Sequence, residues 1–305
     1  MLSYHLLKQH PRVLRAFTSL DPEEFELLLI PFAQAWEAYV NRHYIEKKSR
    51  KRRYGGGRKP TLLTLEDKLL FILFYFKVYP LQEVIGFFFG MSQGRANEWI
   101  HKLSTILEIA LGESQCLPER DPNNLEQVLA LCTAVDFMID GTERPVHRPQ
   151  DPIEQKDQYS GKKKKHTVKN NLIGDVDDLL VRYLSETYPG RTHDKRICDE
   201  EDPSFPPDIG LFQDTGFQGY QPPGVHIYQP KKKPKGKELT EEEKAENKII
   251  SSIRIRIEHI ISGVKRCRIV KDIFRNTKRY FADQVMEIAC GLHNFRKTLR
   301  YNVLE

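Results

Sequence analysis

Paired cysteines are missing from this 305-residue chain. Its five cysteines, at 116, 132, 198, 267 and 290, are odd in number, far apart, and form no C-x-x-C pair. That spacing argues against a zinc site or a disulfide framework and for a reducing compartment. Long apolar runs are missing too. The longest, Leu69 to Phe76, is eight residues, against the roughly 20 a membrane-spanning helix needs. No secretory signal opens the sequence, so the expected setting is intracellular. Overwhelming charge of one sign is also absent, the formal net charge being a moderate +6.

What is present is a globular composition, 39% hydrophobic and 30% charged, in a chain long enough for one large domain or two modest ones. The charge is unevenly placed. Lys47 to Arg53, Lys162 to Lys165 and Lys231 to Lys237 are three separate basic runs, set against a small acidic cluster, Asp199 to Asp202. Basic blocks spread over several loops suit a polyanion laid across the surface, the plain alternative being solvated loops.

Residues 1–46 read as helices: Asp21-Pro22-Glu23-Glu24 supplies a cap, a proline at the first helical position and an acid at the third, and Pro31 suggests a kink. A basic linker or arm follows over 47–63, with Gly55-Gly56-Gly57 at its centre. From 64 to 125 the pattern is helical again. Thr64-Leu65-Glu66-Asp67 opens a helix that Pro80 ends, Leu81 to Phe89 forms a second, and Gln93 to Leu107 a third beyond Gly90-Met91-Ser92. A short glycine-bearing turn between helices is the helix-turn-helix pattern, which any αα-hairpin also resembles. In that arrangement Gln93, Arg95, Asn97 and Glu98 face base edges, and Trp99 and Ile100 anchor the helix. Candidate DNA-backbone contacts are Arg52, Arg53, Arg58 and Lys59 in the arm and Lys163 and Lys164 in the second basic run.

From residue 126 onward strands appear. Cys132 to Asp140 reads as a buried strand that ends in a carboxylate, with Gly141 turning the backbone away and Arg144 to His147 pairing back across the turn. His166 to Gly174, Leu179 to Glu186, Asp208 to Asp214 and Val225 to Gln229 follow as strands. Asp214 closes its strand as Asp140 does, so the two acids are expected at corresponding strand ends. An Asx turn is the plain reading of either acid alone. Thr240-Glu241-Glu242-Glu243 caps a long helix carrying an isoleucine stripe from Ile249 to Val264, despite the strand-like Ile253 to Ile257 alternation. Arg254, Glu258 and Lys265 project from one side of that helix; an ordinary i, i+4 surface pair is the alternative for the first two. Three converging carboxylates cannot all ionise without a counter-charge, and hard divalent cations with oxygen ligands supply one.

These motifs stand in a telling order: Asp140-Gly141-Thr142-Glu143-Arg144-Pro145, then Gly190-Arg191-Thr192-His193-Asp194, Asp214-Thr215-Gly216-Phe217-Gln218-Gly219-Tyr220, and Arg254-x3-Glu258-x6-Lys265. The set resembles the DDE transposases of bacterial insertion sequences, in the "insertion sequence five" family related to the Harbinger group. The resemblance implies a mixed α/β, RNase H-like catalytic domain over 126–305 with its C-terminal helices, preceded by the helical DNA-binding region. It implies that Asp140, Asp214 and Glu258 bind two Mg2+ ions, with Mn2+ as a substitute, while Asp194, Arg254 and Lys265 are secondary candidates. It implies cleavage at terminal inverted repeats and joining of the 3′-hydroxyl to target DNA. The implied partners are double-stranded DNA and a second copy of the chain, in the cytoplasm of a bacterium and at its nucleoid. A catalytically silent DNA-binding regulator and a plain metal-dependent nuclease are the alternative readings.

Overall fold

The structure is a computed structural model and describes residues 1–46, 59–233, 236, 238–278 and 280–301. In chain order the elements are α1 (Tyr4–Lys8), α2 (Pro11–Thr18), α3 (Pro22–Val40), α4 (Leu65–Val78), α5 (Gln82–Phe89), α6 (Gln93–Glu113), α7 (Leu125–Ala130) and β1 (Asp136–Pro145). There follow α8 (Pro152–Gln158), β2 (Tyr159–Ser160), β3 (Lys165–Asp175), β4 (Val181–Leu184), β5 (Tyr188–Pro189) and α9 (Asp194–Glu201). The last are β6 (Gly210–Gln213), β7 (His226–Tyr228), α10 (Glu241–Val264) and α11 (Phe281–Tyr301). No described helix is long and apolar enough to cross a membrane.

The chain divides into two compact units. The first comprises Met1–Leu117, Arg266–Val270 and Gln284–Leu299. Its helices start where the sequence supplies caps. Asp21 accepts from the Glu24 amide while the Glu24 carboxylate accepts from the Asp21 amide, both at 3.0 Å, and Pro31 lies inside α3 without ending it. Thr64 caps α4, whose residues Lys68 to Phe76 are all buried. Tyr79, in the left-handed region at φ 52°, closes that helix just before Pro80. Gly90, at φ 67°, closes α5, and Ser92 caps α6. Most of α11 belongs here: Gln284 bonds Glu108 at 2.6 Å, and Asn294 donates to the Cys116 carbonyl at 2.9 Å. On sequence alone, 126–305 reads as one block.

The second unit comprises Pro118–Lys265, Lys271–Asp283 and Arg300–Glu305. Its sheet runs β2-β3-β1-β6-β7, with β4 and β5 also on β3. β3 is antiparallel to β1, whereas β6 is parallel to β1 and β7 to β6. Taking the principal strands β1, β3, β4, β6 and β7 in chain order, their spatial order is third, second, first, fourth, fifth. This is the mixed α/β, RNase H-like sheet the sequence led us to expect. Phe137 and Ile139 enter a core with Ile173, Tyr183, Cys198, Leu211 and Phe217. Alternation sends Met138 and Asp140 to the opposite face. There α10 lies on the sheet, with Ile257 and Ile260 over Gly174; a Cβ on that glycine would stand 2.4 Å from Ile260 Cδ1.

One expectation about β1 fails. The strand does not end at Asp140, Gly141 makes no turn, and Arg144 does not begin a returning strand. β1 continues to Pro145, paired residue by residue with β3 from Phe137↔Asp175 to Pro145↔Thr167. β3 is long enough to satisfy the backbone groups beyond Asp140, and an unbroken ladder costs less than an unpaired turn.

Candidate active site

Ile139 pairs with Gln213 across the parallel β1–β6 ladder, so Asp140 and Asp214 occupy the next matched positions. Asp140 is mid-strand. Asp214 follows its strand directly and caps the short turn Thr215–Phe217, accepting from the Thr215 amide at 2.6 Å. Arg254 of α10 reaches the same carboxylate, with Nη1 3.4 Å from Asp214 Oδ1. Burial, above all, pushes the Asp140 carboxyl up to about 6; Asp214 and Asp194 push the same way, and the Gly141 N–H and Arg254 act against them. At the end of α10 burial holds the Lys265 ammonium below its ordinary value, with Lys163 adding to the effect and Asp140 opposing it. The second basic run therefore lies within electrostatic reach of Lys265.

Glu258 sits on α10 between Arg254 and Lys265. At 100° per residue the three lie within a wedge of about 40°, so Glu258 shares the stripe whose two ends interact with Asp214 and Asp140. Its own side chain is exposed. Among the described residues no three His, Cys, Asp or Glu side chains are gathered closely enough to hold a metal. The structure sets Asp140 and Asp214 at matched positions, and the exposed Glu258 side chain is not gathered with them. The pair itself fits a divalent cation: hard oxygen donors, both half-buried, with Arg254 as counter-charge.

Asp194 stands on the other side of the strand, at the start of α9. Its carboxylate fills the space left by two glycines. A Cβ on Gly141 would lie 2.7 Å from Asp194 Oδ1, and one on Gly216 would lie 3.4 Å from Oδ2. Lys169 Nζ donates to Asp194 Oδ1 at 2.9 Å and lies 3.8 Å from Glu143. Asn171 donates to the Asp194 carbonyl at 2.8 Å. Lys169 and Asn171 escape the sequence analysis. The signal available was Lys169-Asn170-Asn171, three polar residues set between Val168 and Leu172-Ile173 in the middle of an expected strand.

In the first unit, a Cβ on Gly86 would meet the Met91 carbonyl at 2.6 Å. The turn between α5 and α6 is that tight. Trp99 stacks on Trp36 with centroids 6.0 Å apart, and Ile100 is buried, so both anchor α6 as expected. Gln93, Arg95 and Glu98 are exposed on its first turns. Arg95 pairs with Glu98 at 2.8 Å. Asn97 is half-buried and accepts from Gln82, which itself accepts from Gln93. Lys59, Lys163 and Lys164 are exposed, while Arg52, Arg53 and Arg58 lie outside the described residues.

A family model described as "DDE superfamily endonuclease" matches residues 139–294, just over half of the chain, and one described as "Helix-turn-helix of DDE superfamily endonuclease" matches residues 61–113. The chain belongs to the DDE superfamily endonucleases and carries the helix-turn-helix of that superfamily ahead of its catalytic region. It is 29% identical over 261 residues to a "Probable transposase for insertion sequence element IS702" of Microchaete diplosiphon, covering 84% of this chain and 89% of that one. No solved structure matches the chain.

Proposed function

We propose that the protein is a DNA transposase whose catalytic residues are Asp140, Asp214 and Glu258. The observation that carries this reading is the matched placement of Asp140 and Asp214 on adjacent parallel strands, with Arg254 of the Glu258 helix against Asp214. Two Mg2+ ions held by these acids would supply an activated water or 3′-hydroxyl and stabilise the leaving oxygen of a phosphodiester. Asp140 and Asp214 hold fixed oxygen donors on rigid strands. Glu258, one helical turn from Arg254 on the same stripe of α10, is the third acid that would complete the ligand set. Arg254 and Lys265 steady the phosphate on either side of Glu258. The helix-turn-helix selects the element's terminal repeats through Gln93 and Arg95, with Lys59, Lys163 and Lys164 on the backbone. Two element ends must be brought together for transfer, so the working form is a dimer or larger.

The test is nicking of a labelled duplex carrying the element's own terminus in Mg2+, by wild type and by Asp140→Asn and Glu258→Gln. End-specific nicking lost in both variants, with duplex binding kept, supports the reading. Nicking that survives either change removes that acid from the site. Specific binding without cleavage by any of the three proteins would make the chain a DNA-binding regulator.

A further inference from the structure

A second feature of the catalytic unit lies away from the acids. α8, the β2–β3 turn and the residues after β5 line a shallow, open cavity of about 750 Å³ whose wall includes Arg148, Lys156, Tyr159, His166 and Arg191. Among the described residues no acid lines it. Among those residues, too, neither the Lys156 nor the Arg191 side chain has an ion-pair partner, so both cations are available to a ligand. Tyr159 is 45% exposed and meets His166 edge-on at 5.7 Å, which leaves a ring face open. The volume is of nucleotide-binding size.

The cavity and the acids are placed along one strand. Lys162 to Lys165, exposed between the lining residues Gly161 and His166, put positive charge at the cavity's rim. Arg191 is three residues before Asp194, whose carboxylate stands against Gly141. Leu172 pairs with Asp140, and His166 is six residues earlier on β3, so the cavity lies ~20 Å along the strand from the acids. At 3.4 Å per nucleotide that distance is about six nucleotides of a DNA strand.

We propose that this cavity is a DNA-strand site: Lys156 and Arg191 hold phosphates about six nucleotides from the cut, and Tyr159 stacks one unpaired base there. Unstacked bases are read this way by aromatic shelves in basic grooves. The site gives the enzyme a grip on flanking DNA that is independent of the helix-turn-helix. It rests on the reading of the chain as a DNA-cutting enzyme but is tested without cleavage.

The experiment measures anisotropy of a fluorescein-labelled terminus duplex in metal-free buffer with the full chain, over a salt series. The flank about six nucleotides from the terminus is either paired or carries an unpaired base. The Lys156→Gln/Arg191→Gln double variant should flatten the log–log salt slope by about 2, close to one for each phosphate no longer neutralised. Tyr159→Ala should weaken the unpaired-flank duplex by roughly 5- to 150-fold and leave the paired duplex little changed, the worth of one base–aromatic stack. An unchanged salt slope, or a Tyr159→Ala effect equal on both duplexes, overturns the proposal. Nicking by wild type in Mg2+ is scored separately. If wild type fails to nick while the variants still lose binding, the transposase reading falls and the cavity assignment stands. The reverse pattern sinks the cavity alone.

Discussion

Gly141→Ala places a methyl group 2.7 Å from Asp194 Oδ1, 2.9 Å from its Cγ and 3.3 Å from Asn171 Oδ1. Carbon contacts settle near ~3.5–4.0 Å, so the carboxylate must retreat by about 1 Å. It cannot do so freely, because Lys169 holds Oδ1 at 2.9 Å and Asn171 holds the Asp194 carbonyl at 2.8 Å. Loss of a hydrogen bond to a charged group costs ~1.5–3 kcal/mol. Against this, replacing glycine by alanine lowers unfolded-chain entropy and returns ~0.4–1 kcal/mol. The net expectation is destabilisation by about 1–2 kcal/mol, a fall in Tm of about 2–8 °C. Asp140 and the glycine that follows it move with the strand, and a 1 Å misplacement costs about 100-fold in rate. The assay is a double-mutant cycle, melting and Mg2+-dependent nicking of wild type, Gly141→Ala, Asp194→Ala and the double variant. With Asp194 truncated the methyl has room, so Gly141→Ala in that background should be neutral or slightly stabilising, giving a coupling of about 1–3 kcal/mol. Equal costs in both backgrounds would refute the wedging of the Asp194 carboxylate against Gly141.

The other expectations concern separate parts of the chain. Gly86→Ala drives a methyl into the Met91 carbonyl at 2.6 Å, where a backbone atom cannot yield, so overpacking of ~1–3 kcal/mol should outweigh alanine's helical advantage and weaken duplex binding in a gel-shift titration. Arg95→Ala should lower selectivity for the terminal repeat over unrelated duplex, by ~1–3 kcal/mol, while nicking of bound DNA proceeds unchanged; an equal loss on all sequences would count against base reading by α6. Burial, opposed by Asp67 and Glu66, lowers the Lys68 ammonium to about 8. Between that value and the ordinary lysine value the unfolded chain binds more protons than the folded one, so this residue makes stability rise with pH from about 8 upward and contributes no slope below it. Subtracting the Lys68→Met melting profile from wild type should expose that rise, and parallel profiles would show that Lys68 titrates normally. Mg2+ at a hundred times its Kd should stabilise the protein by about 2.7 kcal/mol, read as a rise in melting temperature that Asp214→Asn removes.

What could be read from the sequence is what is decided within a few residues. Asp21 with Glu24 and Thr240 with Glu243 are capping boxes because the partners are three positions apart, and both form as expected. Gly90 and Ser92 mark the tight turn between α5 and α6 by the same local logic. Gly141 is the contrary case. A glycine after a strand-borne acid signals a turn, yet whether the strand stops is decided by β3, some thirty residues further on, whose residues 167–175 remain available to pair. The glycine is there to admit Asp194, a contact between segments about fifty residues apart that no local pattern carries. The same limit governs the candidate site. Asp140 and Asp214 come to matched positions because β1 and β6 are parallel neighbours in register, although the similar strand ending that suggested the match fails for Asp140, which lies mid-strand. Glu258 could be placed on a stripe with Arg254 and Lys265, because helical periodicity is local. Whether that stripe's central acid meets the two aspartates depends on charge balance across three elements, and periodicity says nothing about charge balance. Arg254 lies against Asp214 and Lys265 within electrostatic reach of Asp140, so the two ends of the stripe are set by how α10 is laid on the sheet and not by its own sequence.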